Sequence, residues 1–347
     1  MSGWFGLVLR LRSRWLVWGR RRRWIDTRRG APAWAGLWQA GGMDIAVIGS
    51  NMVDLVTYIT RMPQLGETLA GQDFQMGCGG KGANQAIAAS RLGSEVLMLT
   101  RVGDDAFAQN TIANFEANAI STRFVLPTRA SSGVAPIFVD EQARNSIVIV
   151  KGANDLLTPA DIDAAEAEIA ACKLIVLQLE VPLETVYHAV ELGQRLEVPV
   201  LLNPAPATED LDYARISSVD YFMPNESELA LLVGREVQGL DEVQAAAEEL
   251  VAKGMRNVIV TLGDRGALWV SASGAQLVPG TAVQAVDSTG AGDAFIGCFS
   301  HALVHGADVE EALRMANAYA ADSVTRRGTQ TSYATAEEFG ARTGLAV

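Results

Sequence analysis

Cysteine, histidine and long apolar runs are all scarce in this chain, and each scarcity removes a class of function. Only three residues of 347 are cysteine (Cys78, Cys172, Cys298) and only three are histidine. An odd number of cysteines, with no Cys-x-x-Cys pair and no metal-ligand spacing, predicts free thiols in a reducing compartment, the cytoplasm. His301 and His305 stand four apart without a third ligand pattern, so they read as structural or surface histidines rather than a zinc site. The longest charge-free stretch, 266–286, is broken by Gly274, Gln276, Pro279, Gly280 and Gln284, and cannot be an apolar membrane span.

Basic charge is scarce as well, once its position is considered. Lys and Arg total 28 against 40 Asp and Glu, a net of −12. Residues 1–42 hold nine of the arginines, one acid (Asp26) and six of the seven tryptophans. That leaves 19 basic and 39 acidic residues in 43–347, a net of −20. A body this acidic repels a phosphate backbone, which argues against nucleic-acid binding by charge. A hydrophobic content of 49% with ordinary Gly and Pro excludes a disordered or fibrous chain.

Residues 1–42 mix Trp and Arg without a clean apolar stretch or a small-residue cleavage site, a poor match to a secretory signal. Two serines and six tryptophans also fit a transit peptide badly. Met43 is followed at once by the buried-strand pattern Asp44-Ile-Ala-Val-Ile-Gly-Ser50. We therefore expect 1–42 to be a disordered or mis-assigned extension and Met43 to start the working protein.

From about Lys173 onward, short apolar runs alternate with helical patterns. LIVLQLE (174–180), VPVLLNPAP (198–206), YFMPN (221–225) and NVIVTLG (257–263) are separated by helices near 183–195 and 241–253. Such alternation specifies a mainly parallel sheet covered on both faces. Ligands gather at the carboxyl ends of such strands, where this chain places Glu180, Asn203, Asn225 and the TLGDRG turn. Two helices, about 293–305 and 308–324, and a Gly-containing loop close the chain. In the N-terminal half, segments near 53–60, 67–76, 133–139 and 145–150 lack an intervening helix each. They predict a small, partly antiparallel lid (53–76 and 133–150) on one α/β domain spanning 43–347.

Two glycine clusters carry the chemistry. In Asp287-Ser-Thr-Gly-Ala-Gly-Asp293, Gly290, Ala291 and Gly292 run directly into a helix, so backbone N–H groups and the positive helix end form an anion cradle. Asp293, on its rim, is placed to take a proton from an attacking hydroxyl, or else simply to cap the helix. Gly77-Cys-Gly-Gly-Lys-Gly-Ala-Asn84 satisfies G-x-G-x-x-G, but Thr100-Arg101 follow where a dinucleotide site needs an acid, and Gly82 after Lys81 rules out a P-loop. Close approach to a polyhydroxylated ligand, with Lys81 and Asn84 supplying hydrogen bonds, fits better.

Together these two clusters resemble the signatures of the ribokinase-like (PfkB-type) sugar kinases, with LNPAP (202–206), PNESE (224–228) and TLGDRG (261–266) between them in the family's order. The resemblance covers 43–347. It implies a three-layer αβα fold with a mainly parallel central sheet and a β-lid that often forms a homodimer. Asp293 would be the catalytic base, with Gly290, Ala291 and Gly292 as the anion hole. Asp54, Gly80, Lys81, Asn84 and Glu180 would hold the sugar. Asn203, Asn317 and the run Thr261, Leu262, Gly263, Asp264, Arg265 and Gly266 would line the ATP site, with Gly292. Asn225 and Glu228 would organise Mg²⁺ through water. Asp287, Thr289, Ser323, Arg326, Gly328 and Ser332 match the site of a monovalent activator, usually K⁺.

Met52 departs from the usual ribokinase pattern, in which an Asn stands two positions before the Asp54 equivalent. A thioether accepts hydrogen bonds weakly and donates none, so it suits a CH₂ better than a hydroxyl. The run SNMVDL…GCGGKGANQA also resembles 2-deoxyribokinases. The implied reaction is ATP-dependent phosphorylation of the 5-hydroxyl of 2-deoxy-D-ribose. Ribose, another sugar or a nucleoside within the family, and a non-catalytic sugar sensor are the alternatives.

Overall fold

The structure is a computed structural model that describes residues 42–142 and 144–345. The expectation for the 1–42 extension therefore lies, Gly42 apart, outside the described residues. Thirteen strands are present among the described residues: β1 (Ile45–Ile48), β2 (Met52–Tyr58), β3 (Asp73–Gly79), β4 (Val96–Val102), β5 (Ser121–Pro127), β6 (Val134–Val139), β7 (Asn145–Ile147), β8 (Leu174–Leu177), β9 (Val200–Leu202), β10 (Tyr221–Phe222), β11 (Asn257–Thr261), β12 (Gly266–Ser271) and β13 (Gly274–Pro279). Nine form one sheet in the order β13-β12-β11-β10-β9-β8-β1-β4-β5. It is parallel from β11 to β5, and antiparallel only where β12 and β13 extend the edge.

Strand β1 shows why these residues form a central strand. Its four apolar side chains are all buried and alternate between two cores, Ala46 and Ile48 on one face, Ile45 and Val47 on the other. Helices Leu183–Leu196 and Gly239–Ala252 cover the first face. Helices Lys81–Arg91, Ala291–Val304 and Val309–Ser323 cover the second. Helix Ala291–Val304 is buried on nearly every side, from Asp293 to Ala302, because it lies between the sheet and two other helices. Among the described residues no helix is long and apolar enough to cross a membrane.

The lid is a second sheet, β3-β2-β6-β7, with β2–β6 parallel and the other pairs antiparallel. Its strands start and stop within a few residues of the sequence pattern, with two differences. Residues 67–72 are loop, and β3 instead runs on through Gly77-Cys-Gly79, so the glycine motif begins inside the sheet. The N-terminal half also holds a helix, Ala106–Ala117, that periodicity did not indicate. It buries only Ala108, Thr111 and Phe115, a stripe too thin to stand out, and Asp105 caps it by accepting from the Phe107 and Ala108 amides. A third C-terminal helix, Ala336–Thr343, follows where a loop was expected; Thr335 and Glu338 form its capping box, and Phe339 is its one buried anchor.

Candidate active site

After β1 the chain leaves the core sheet, and β2 carries Asp54 in the lid; the glycines of the first motif make that crossing possible. A side chain at Gly79 would collide with the Asp54 carboxylate, and one at Gly80 would lie 2.7 Å from the Met52 nitrogen. Gly80 also has φ +90°. The glycine cluster is thus needed for backbone approach to residues 50–54, which brings Asp54, Glu180 and Lys81 together. Glu180 is buried and accepts from the Ser50 hydroxyl and the Lys81 amide. Burial first, then the Glu180 and Asp293 charges, push the Asp54 carboxyl up to about 6. Burial pulls the Lys81 ammonium down, but the carboxylates of Asp293, Glu180 and Glu228 more than offset it and hold the amine above its usual value.

Met52 is 2% exposed, and the Asn154 amide nitrogen lies 3.8 Å from its sulfur. Gly133 faces that sulfur too, with no room for a side chain between them.

On the other side of the cavity, Gly290 (φ +77°) starts helix Ala291–Val304. The Tyr333 hydroxyl donates to the Gly290 carbonyl at 2.9 Å and stands where a side chain on residue 290 would be. The Ala291 amide donates to the Ser288 carbonyl at 3.2 Å, whereas the amides of Gly292 and Asp293 have no protein acceptor among the described residues. The open donors of the cradle therefore extend to the Asp293 amide, one position past the glycine pattern. Asp293 is 7% exposed, and both its oxygens are engaged: Oδ2 accepts from Asn84 Nδ2 and Oδ1 from Gln85 Nε2, each at 2.9 Å. Asn84 is thus brought to the site, with its amide turned to Asp293 and, through Oδ1, to Gln330.

A cavity of about 190 Å³ separates the cradle from Lys81, Asn203, Asn225 and Glu228. Asn225 and Glu228 form a capping box: Asn225 Oδ1 accepts from the Glu228 amide, and Glu228 Oε2 from the Asn225 amide, both at 2.8 Å. Burial is the largest influence on Glu228 and raises its carboxyl despite Lys81 nearby. A second cavity of about 260 Å³ continues from the cradle, lined by Thr261, Gly263, Asp264, Gly266, Gly292 and Asn317 among others. Leu262, by contrast, is buried in the core, and the Arg265 guanidinium turns outward to Glu226. Asn203 is drawn toward Gln85 and donates to the Met223 carbonyl.

The six residues of the expected monovalent-cation site fall in the turn at 287–289, at the end of helix Val309–Ser323 and in the segment that follows it. Asp287 accepts from the Thr289 and Gly328 amides at 3.0 and 2.9 Å, and the Arg326 amide donates to the Ser323 carbonyl. Arg326 pairs through its side chain with Asp322 and donates twice to the Ser332 carbonyl, which commits that oxygen.

Residues 43–336 match the family model described as pfkB family carbohydrate kinase. The chain belongs to this family. It is 56% identical over 298 residues to a deoxyribokinase of Salmonella typhi, covering 86% of this chain and 97% of that one. It is 40% identical over 294 residues to a mouse ribokinase, covering 83% and 91%. A solved Arabidopsis thaliana ribokinase, complexed with ribose and ATP, superposes with a TM-score of 0.79 at 28% identity, covering 86% and 97%. The fold expected from the resemblance is thereby established, as is the class of enzyme, an ATP-dependent carbohydrate kinase.

Several residues of this kinase centre were not singled out by motif. Gln85 adjoins the first cluster, so its position was visible although its partner was not. Gln330 and Tyr333 carry no sequence signal, and Ser50 opens the SNMVDL run without a role being read for it; they reach the site through the way the C-terminal loop and the β1–β2 connection fold over it. Away from the centre, His301 is buried against the Ser94 hydroxyl at 2.8 Å and held down to about 4, first by burial.

Proposed function

We propose that this kinase transfers the γ-phosphoryl group of ATP to the 5-hydroxyl of 2-deoxy-D-ribose, giving 2-deoxy-D-ribose 5-phosphate. The observation that carries the sugar assignment is Met52, a buried thioether at the start of β2, two residues before Asp54. Packed against C2 it favours a CH₂ and leaves a 2-hydroxyl poorly paired. The higher identity to a deoxyribokinase than to a ribokinase supports the same reading.

In this reading Asp54 and Glu180 accept hydrogen bonds from sugar hydroxyls and aim the 5-hydroxyl at Asp293. Asp293 takes its proton as the oxygen attacks the γ-phosphorus in line and ADP leaves. The amides of Gly292 and Asp293, with the positive helix end behind them, receive the charge of the transferring group. Lys81, kept charged by three carboxylates, neutralises it from the opposite wall. The second cavity takes the adenosine, with Asn317 on its wall.

The residues present fit both metals of the family. Glu228 retains oxygen lone pairs at the cavity wall beside Asn225, hard ligands suited to Mg²⁺ held through its water. Bound there, Mg²⁺ supplies neutralisation of the nucleotide phosphates. The Asp287 carboxylate, Thr289 and the carbonyls of Ser323, Arg326 and Gly328 offer an all-oxygen set for K⁺, with Ser332 available through its hydroxyl. K⁺ supplies positive charge behind the cradle. The Arg326 guanidinium takes no part, being spent on Asp322.

A coupled assay of ADP release with Mg²⁺ and each pentose tests the sugar assignment. The expected result is a higher kcat/KM for 2-deoxyribose, with ribose a detectable substrate, because an apolar pocket rejects an added hydroxyl by about 10²-fold at most. Met52→Asn should shift the ratio toward ribose by on the order of 1–2 kcal/mol. A preference for ribose in the unaltered enzyme would overturn the sugar and leave the kinase standing.

A further inference from the structure

Five buried side chains form a hydrogen-bonded chain through the centre of the kinase, and its polarity is dictated by Asp293 at its middle. A carboxylate can only accept, so Asn84 and Gln85 must both present their NH₂ groups to Asp293. Their oxygens then face away and must meet donors, and they do: Gln85 Oε1 accepts from Gln178 Nε2 at 2.6 Å, and Asn84 Oδ1 from Gln330 Nε2 at 2.8 Å. Gln85 is 1% exposed and Gln178 fully buried, an arrangement that costs stability in an apolar core unless every link is made. Gln178 Oε1, at the far end, has no partner among the described residues.

We propose that Gln85 is a positioning residue for phosphoryl transfer: its amide, oriented by Gln178, holds the Asp293 carboxylate turned toward the sugar's hydroxyl. The inference rests on the reading of Asp293 as the base. Gln85 lines neither cavity, so it acts through Asp293 and not on a substrate. A charged-acceptor hydrogen bond of this kind stabilises the anion and fixes the plane of the carboxyl group. The other ionisable groups facing Asp293 are Lys81 on helix Lys81–Arg91, Asp54 on β2, Glu228 on helix Glu226–Val233 and Tyr333. All of them remain in a variant at position 85.

The test is Gln85→Met, which keeps size and removes the donor. At saturating 2-deoxyribose and MgATP, where the sugar covers Asp54, kcat should fall roughly 10–100-fold. The acid limb of the kcat profile should move up by about one pH unit, while the KM for ATP stays within about twofold. Gln178→Met, which leaves the contact with Asp293 intact, should move the limb in the same direction by less, and it serves as the probe if Gln85→Met does not fold. An acid limb at the same pH in a folded variant, or equal losses in kcat and in ATP affinity, would overturn the role of Gln85. No turnover in the unaltered enzyme would instead overturn the kinase reading on which it rests.

Discussion

Asp54 is a residue whose placement costs the protein stability. Burial, with Glu180 and Asp293 nearby, lifts its carboxyl to about 6. In the unfolded chain the same group ionises near about 4. Between those values the unfolded state releases its proton first, so stability falls as pH rises through this window and the full cost is present above it. Asp54→Asn should therefore stabilise the ligand-free protein at pH 7, on the order of 1–2 kcal/mol after allowance for partial solvent contact, or a few degrees in Tm. The gain should vanish below about pH 4, and turnover should drop for ribose and 2-deoxyribose alike. Thermal melts across pH check this; a variant no more stable at pH 7 than at pH 4 would show that the charge costs nothing. The motif singled out Asp54, which the family resemblance implies as a sugar ligand. Its energetic position was not visible, because Glu180 and Asp293 lie more than a hundred residues away in the chain.

At the scale of elements, the centre depends on how closely two helices cross. Helix Ala291–Val304 meets helix Lys81–Arg91 at Gly297, where an added Cβ would land on the Ala88 side chain and within 2.7 Å of the Gln85 carbonyl oxygen. That crossing places Asn84 and Gln85 within hydrogen-bonding distance of Asp293, four residues before Gly297. Gly297→Ala should push the helices apart, costing about 1–3 kcal/mol of strain against about 1 kcal/mol gained in helix propensity. It should lower kcat while leaving the KM for ATP nearly unchanged, and adding Ala88→Gly should restore much of the loss. A single variant with unaltered kcat would mean that the amide chain tolerates the shift. The same contrast marks what was legible in advance. Strands such as β1 and β8 stand out because four consecutive buried residues leave little alternative, and the cradle stands out because glycine is required where Gly290 has φ +77°. Helix Ala106–Ala117 and the Gln85 contact were not legible, since one buries a thin stripe and the other exists only through tertiary crossing.

At the scale of the whole molecule, the lid leaves apolar surface that the fold itself does not cover. Strand pairing puts Leu55, Met76 and Phe74 on the face opposite Asp54, and Phe74 and Met76 are 58% and 50% exposed. At the β7 end Val148 is 56% exposed, while Ile147, 51% exposed, pairs with Ile137 and so lies on the Asp54 face. Apolar surface of this extent on a small sheet favours association, and a closed twofold pairing of lids is the simplest way to bury it. We propose a homodimer through the lid. Opposing it is the charge on each body, a net of −20 over residues 43–347, which repels a second copy. Salt screens that repulsion and leaves apolar contact intact, so the dimer should tighten as ionic strength rises from about 0.01 M to about 0.15 M, where the Debye length falls from about 30 to about 8 Å. Replacing both Phe74 and Met76 with Glu adds two charges per protomer at the contact and should yield monomers at every salt concentration tested. Sedimentation velocity reads both effects. A variant that sediments like the unaltered protein would place any association elsewhere, and a dimer that weakens with salt would mean that charge pairs rather than the lid's apolar face hold it.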